Sequence, residues 1–346
     1  MLPRIRPAPH PFAMGALMRL AANQRFDWAA ALALVAAVFA PGLTVAQAYP
    51  AKPITVIVPL APGSPPESMA RALGQTLTPI LGQPIVVVPR GGAGGTIGGQ
   101  LVANAKSDGY TLLMGSGSSL AIGPALYPQT GFNAAQAFAP VGQVYSSPFV
   151  LLTGAKFPAT TLTEFIAAVK AKPGEFNFTS PAAGGQPHMA GEMFKWAAGL
   201  DMVHVPFGNL GLAVNALANG QAHLMIAGPG SMMGQIRSGN LRVLATAAKK
   251  RLSLLPDVPT TAESGLPEFE VDSWGGLVAP RGTPPAIIHQ LNDAIQAALA
   301  EKALRDVLIR FGAEPEGGSP TQFGRLIDVD GARWAAVVKA TGAKGE

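Results

Sequence analysis

Two interleaved patterns constrain this chain more than any other feature. Short apolar runs bounded by glycine or proline (Ile54–Val58, Ile85–Val88, Thr111–Met114, Val203–Val205, Leu224–Ile226 and Val243–Ala245) do not alternate polar with apolar residues. Runs of that length and character read as strands covered on both faces. Between them lie segments with helical spacing. Met69, Leu73, Leu77 and Leu81 form one stripe; Leu162, Phe165, Ile166 and Val169 form another behind a Thr161–Glu164 capping box. Ile288, Leu291, Ile295 and Leu299 mark a helix over 286–299, and Ser319-Pro320 opens a C-terminal helix through Trp334 and Val338. Such alternation gives an α/β fold with largely parallel sheets flanked by helices. Two further strand-like stretches, 144–150 and 271–278, fit as crossovers, so that one lobe takes both chain ends and the other takes the middle.

The N-terminus follows a different rule. Apolar Trp28–Ala40, closed by Pro41-Gly42, stands after Arg4, Arg6, Arg19 and Arg25 and before Ala46-Gln47-Ala48. That is the order of a cleavable export signal, with cleavage expected after Ala48 and a periplasmic mature protein. The run is shorter than the ~18–20 residues of a spanning helix. Among the 346 residues there is no cysteine, which excludes a lipid-anchored N-terminus, disulfides, thiolate nucleophiles and Cys-bound metals. Of 25 basic and 20 acidic residues, four Arg and one Asp lie in 1–48, which leaves a net charge of only +2 on the remainder. No nucleic-acid partner is expected from so weak a basic footprint.

Most catalytic motifs fail on spacing. The run Gly91-Gly92-Ala93-Gly94-Gly95 follows a strand, but Ile97 stands where a dinucleotide loop needs its third glycine. It reads instead as a tight turn with positive φ before a closely packed helix. No Gly-Lys pair exists for a phosphate loop, and no Gly-x-Ser-x-Gly for a nucleophile elbow. His188 and Glu192 lie four apart without a third ligand, so no metal and no cofactor are expected. His204 reads as a core histidine inside a strand, His223 as a surface residue. What remains is five loops rich in glycine and hydroxyls, each directly after a strand: Pro62-Gly63-Ser64, Gly115–Ser119, Ser180–His188, Phe207-Gly208-Asn209 and Gly228–Ser231. Ligands of open α/β sheets sit at the carboxyl ends of strands, where helix starts offer backbone N–H groups to anions. None of the five loops holds Lys or Arg. The expectation is a bound anion met without a salt bridge, best suited to a single carboxylate with an apolar body near Phe207.

Tyr49-Pro50-x-Lys52-Pro53-Ile54, Val58-Pro59-x-x-Pro62-Gly63, Arg90-x-Gly92-Ala93-Gly94-Gly95, Asp108-Gly109-Tyr110-Thr111-Leu112-Leu113, Phe138-Ala139-Pro140-Val141, His188-x-Ala190-Gly191-Glu192, Val203-His204-Val205-Pro206 and Leu255-Pro256-Asp257-Val258-Pro259-Thr260 follow one another through 49–346. In this order they resemble the Bug-type extracytoplasmic solute receptors of tripartite tricarboxylate transporters. The resemblance implies a two-lobed periplasmic-binding fold of type II-like form, with 49–147 and 273–346 in one lobe and 148–272 in the other. It implies a monomeric receptor, not an enzyme, that closes on a small organic carboxylate and delivers it to membrane permease subunits. The ligand residues it implies are Gly63, Ser64, Ser116, Gly117, Ser118, Ser119, Ser180, Gly184 and His188; the other strand-end loops add Phe207, Asn209 and Gly228. The chain departs from the family pattern at Ser64-Pro65-Pro66, at Glu67 in place of Asp, at Phe207-Gly208-Asn209 in place of Tyr-Lys-Gly, and at Ala227-Gly228 in place of Asp and Asn. Two other readings stay open at this point: a ligand sensor serving a signalling partner, and an exported enzyme using His188 and Glu192.

Overall fold

The computed structural model describes residues 49–60, 62–128 and 133–343. The expected leader, residues 1–48, lies outside them. Two sheets organise the described residues. In the first, β1 (Ile54–Val58) pairs in parallel with β2 (Ile85–Pro89) and β3 (Thr111–Ser116). Adding β4 (Phe138–Ser146), β10 (Gly275–Pro280) and the short β11 (Glu314–Pro315) gives the order β11-β4-β10-β3-β1-β2. The second sheet has β5 (Val150–Gly154), β6 (Asn177–Ser180), β7 (Val203–Pro206), β8 (Leu224–Ala227) and β9 (Leu241–Thr246) in the order β7-β6-β8-β5-β9.

The helices come where the spacing predicts. Of α1 (Pro65–Leu81), the stripe residues Met69, Leu73 and Leu77 are buried, and Gly82 in the left-handed region (φ 69°) ends it. Burying each such side chain contributes roughly 1.5–3 kcal/mol. Next come α2 (Thr96–Ala103), and the one-turn α3 (Gly123–Leu126) and α4 (Ala134–Ala137). Around the second sheet lie α5 (Leu162–Ala171), α6 (Gln186–Ala198), α7 (Leu210–Ala218) and the short α8 (Met233–Arg237). The Thr161–Glu164 capping box opens α5. The chain then returns to the first sheet for α9 (Pro285–Ala300), α10 (Lys302–Arg310) and α11 (Pro320–Thr341), the last opened by Ser319 and Gln322.

Two expectations need correction. The sheets are mixed, not largely parallel: β10 runs antiparallel to both β3 and β4, and β5 antiparallel to both β8 and β9. The cause is the interlobe traffic, since β4 leads out of the first sheet and β10 leads back in beside it. Nor are all the apolar runs covered on both faces. β2 and β7 are edge strands, and Val86 and Val203 are 47% and 53% exposed.

The chain crosses between sheets twice, at 147–149 and 271–274. The two crossings pair with each other: Phe149 N–H donates to the Val271 carbonyl at 2.9 Å, and Ser273 N–H to the Ser147 carbonyl at 3.1 Å. Asp272 fastens them further, accepting Ser146 Oγ–H at 2.7 Å and Ser147 N–H at 2.8 Å. Beside this hinge, the buried Trp274 indole donates to Asp330 Oδ2 at 2.8 Å and packs edge-on against Phe323. Trp334 Nε1 reaches the same oxygen at 3.2 Å, and Arg333 holds the other at 2.7 Å. Helix α11 therefore ties the return crossing to the first lobe.

Candidate ligand cleft

A cavity of about 470 Å³ opens between the two sheets. Three segments after strands of the first sheet line it: Pro59, Leu60 and Pro62 after β1; Gly91, Gly92, Gly94 and Gly95 after β2; and Ser118 after β3, with Tyr127 just beyond α3. Ala182–Gly185, between β6 and α6, closes it from the second sheet. The volume lies within the range of about 300–1,000 Å³ usual for small-molecule sites.

Close backbone approach shapes the first-lobe wall. A Cβ on Gly98 would stand 2.7 Å from the Arg90 carbonyl and 3.0 Å from Pro59 Cα, so α2 lies directly against the β1 end. Gly92, Gly94 and Gly95 turn there with φ of 128°, 63° and 95°. The run that fails as a dinucleotide loop is thus the expected tight turn, and it is also a cavity wall.

Three helices start at this cavity without a side-chain cap: α1 at Ser64, α2 at Gly95 and α6 at Gly185. Away from it, α5, α7 and α11 are capped by Thr161, Asn209 and Ser319, while α9 and α10 also start without a side-chain cap. The starts of α2 and α6 offer free N–H groups and the positive end of the helix dipole, whereas α1 opens with Pro65-Pro66, which carry no N–H, and presents the dipole alone. The chain answers one of them itself. Glu67 Oε2 accepts Gly63 N–H at 2.7 Å, and Oε1 takes Arg71 Nη2 at 2.6 Å. The Gly63 amide and Arg71 hold the Glu67 carboxyl below its ordinary range. Among the described residues, the starts of α2 and α6 have no such internal anion. Two buried hydroxyls at the helix starts, Ser64 Oγ and Thr96 Oγ1, have no partner among the described residues. No Lys, Arg or His side chain lines the cavity among those residues, and Arg90 Nη1 donates to the adjacent Pro89 carbonyl.

The residues singled out in the sequence separate into groups. Ser118 and Gly184 line the cavity, with Gly63 and Ser64 adjoining Pro62 at its edge. Ser116 and Ser119 face each other: Ser116 N–H donates to Ser119 Oγ at 3.0 Å, and both are buried. Gly117 N–H donates to the Trp274 carbonyl at 3.3 Å, linking this loop to the hinge. Ser180 and His188 lie behind the wall. The Ser180 hydroxyl is fully buried, donates to the Ala182 carbonyl at 2.9 Å and sits 2.7 Å from His204 Nε2. That Ser–His pair has the spacing of a hydrolase dyad but no opening onto the cavity. Phe207, Asn209 and Gly228 do not line the cavity. Phe207 packs on the second-lobe core, Asn209 Oδ1 accepts Leu212 N–H at 2.9 Å as the α7 cap, and Gly228 lies against Ser147 at the hinge. His223 is half-buried, its Nδ1 2.9 Å from Asn177 Oδ1, and burial lowers its pKa. The glycine wall at 91–95 had a usable signal, being a glycine loop between strand and helix like the others. Tyr127, whose ring meets Gly94, had none.

Two lobes joined by a paired double crossing, with a cavity of open helix starts between them, define a solute-binding protein. The match to known proteins is specific: the model of the tripartite tricarboxylate transporter family receptor covers residues 69–343, and the chain belongs to that family. It is 42% identical to Protein BugT of Bordetella pertussis over 300 residues, 86% of this chain and 92% of that protein. Among solved structures, the periplasmic binding protein BugD superposes with a TM-score of 0.73 at 32% identity, covering 86% of this chain and all of BugD. R. palustris Rpa4515 with adipate gives 0.76 at 32% identity, again over 86% of this chain and all of the other. The family resemblance and the two-lobed α/β fold read from the sequence are borne out.

Proposed function

We propose that this protein is a periplasmic receptor that captures a small organic carboxylate between its lobes and hands it unchanged to a tripartite tricarboxylate-type permease. The observation that carries the reading is the pair of uncapped helix starts, α2 from one lobe and α6 from the other, at a cavity without a cationic lining among the described residues. Carboxylates meet such starts through backbone N–H groups, each contributing about 0.3–1 kcal/mol and up to ~2 when partly buried. Counting starts widens the sequence expectation of one well-met carboxylate to two. A third would be desolvated without a counterpart, because Glu67 already occupies the α1 start. Leu60, Tyr127, Ala182 and Ala183 offer apolar contact to the ligand body, in place of Phe207. The adipate bound by Rpa4515 fits this two-ended pattern.

In this reading the lobes are 49–147 with 273–346, and 148–272, rotating about the paired crossings. The mature chain is a monomer beginning at Tyr49 after cleavage behind Ala48. Calorimetry with hexanoate, adipate and citrate tests the site: adipate or hexanoate binds, citrate more weakly. Citrate as the tightest ligand would overturn the counting, and no binding by any acid would overturn the receptor reading. Intact-mass analysis of the exported protein checks the N-terminus, and size-exclusion chromatography with light scattering checks the monomer.

A further inference from the structure

Behind the second-lobe wall two histidine rings stack with centroids 3.9 Å apart and an interplanar angle of 24°. Phe178 of β6 lies alongside, 4.9 Å from His204 and 6.2 Å from His188, and α6 presses onto it through Gly191, where a Cβ would collide with the Phe178 ring. Each histidine is fixed by the cavity loop. Gly184 N–H donates to His188 Nδ1 at 2.9 Å, so that nitrogen carries no proton and Nε2 does, facing Glu192 Oε1 at 3.8 Å. Ser180 donates its one hydroxyl hydrogen to the Ala182 carbonyl, so the 2.7 Å contact needs a proton on His204 Nε2. Burial, together with His188 and Lys195, lowers the His204 pKa to about 4, so this ring is neutral near pH 7.

We propose that His188 is a positioning residue, not a ligand contact: its Nδ1 captures the Gly184 N–H, fixes the 182–185 wall and withdraws that donor from the ligand. The inference rests on reading the cavity as the ligand cleft. His204, through Ser180, holds the other end of the same wall, and the ring stack makes one support of the two. What the wall then offers an anion is the uncapped α6 start at Gly185.

The test separates acceptor from bulk. In H188N the Asn Oδ1 occupies the place of Nδ1, in H188Q the amide lies one bond further out, and H188F keeps a stacking ring without an acceptor. Hydrogen exchange on the ligand-free proteins should show the Gly184 amide opening at least about tenfold faster in H188Q and H188F, the scale of one unmade buried hydrogen bond, with H188N restoring protection. In wild type, the 15N shifts of His188 should show Nδ1 bare and Nε2 protonated. Adipate affinity should fall about tenfold in H188Q and H188F and be rescued in H188N. A protonated Nδ1, or equal Gly184 protection in all four proteins, would overturn the assignment. Should H188F fail to fold, the Asn–Gln pair decides. Lost Gly184 protection with unchanged adipate affinity would also overturn it, by removing the wall from the site. If wild type binds neither adipate, hexanoate nor citrate, the carboxylate reading fails instead, and the Gly184 exchange still decides what His188 does.

Discussion

Replacing Asp272 by Asn removes a charge that the hinge carries at a cost. Burial raises the Asp272 pKa from 3.8 to about 6; the Ser146 and Ser147 hydrogen bonds oppose the rise, and Asp330 and Glu316 add to it. A rise of about two units corresponds to roughly 3 kcal/mol. Below pH 3.8 the carboxyl is protonated folded or unfolded, and there is no penalty. Between 3.8 and about 6 the folded chain holds the extra proton, so stability falls as pH rises; above that the full penalty stands. In D272N the amide oxygen keeps the Ser147 N–H, and the Ser146 hydroxyl can turn to accept the amide hydrogen. Urea unfolding of both ligand-free proteins from pH 4 to 7.5 gives the quantity that matters, the stability difference between them. It should grow in favour of D272N by roughly 2–3 kcal/mol between pH 4 and 7. Carboxylates elsewhere, such as Glu67, Glu164 and Glu263, held low by the amides of Gly63, Thr160 and Thr260, cancel in that difference. A difference flat with pH, or one growing toward acid, would refute the reasoning.

Three other outcomes follow from the same geometry. Gly98→Ala forces a methyl onto the Arg90 carbonyl and Pro59 Cα, both backbone, and should cost roughly 1–3 kcal/mol in urea unfolding while weakening adipate binding. Trp274 emission should change when a saturating ligand closes the lobes; an unchanged spectrum together with an unchanged scattering radius would exclude closure about this hinge, and W274F identifies the signal against Trp196 and Trp334. Ligand at 100 times Kd should add about 2.7 kcal/mol to the folded state, read as a rise in Tm that W274F retains if its indole only reports.

Local chemistry was legible wherever one segment decides its own fate. The α1 stripe and the Thr161 and Ser319 caps lie where their residues placed them. The site was legible only as a set of loop types. An Asn after a strand reads equally as a helix cap and as a ligand group, and Asn209 is a cap because β7 lies at the sheet edge. Gly228 follows the more central β8, yet its loop is drawn to the hinge, where Gly230 fits against the Phe311 carbonyl. Such partners are 80 or more residues away, and no window of sequence contains both. His188 shows a different limit: its partner Gly184 is only four residues away, but a polar residue at a helix start beside a binding loop contacts either the ligand or the loop, and only the hydrogen bond itself tells them apart.

The position of β10 between β3 and β4 gives the molecule an order of assembly in time. As the chain emerges N-terminus first into the space where it folds, β1, β2 and β3 can pair at once, but among the described strands β4 has neighbours only in β10 and β11, and neither exists until residue 275 and beyond. The second sheet, by contrast, closes on the contiguous stretch from 150 to 246. The middle of the chain is therefore complete first, while the half that begins earliest waits for the last quarter. A chain cut short before 275 would not be a smaller receptor; it would carry a finished second sheet beside a nine-residue strand with both edges bare.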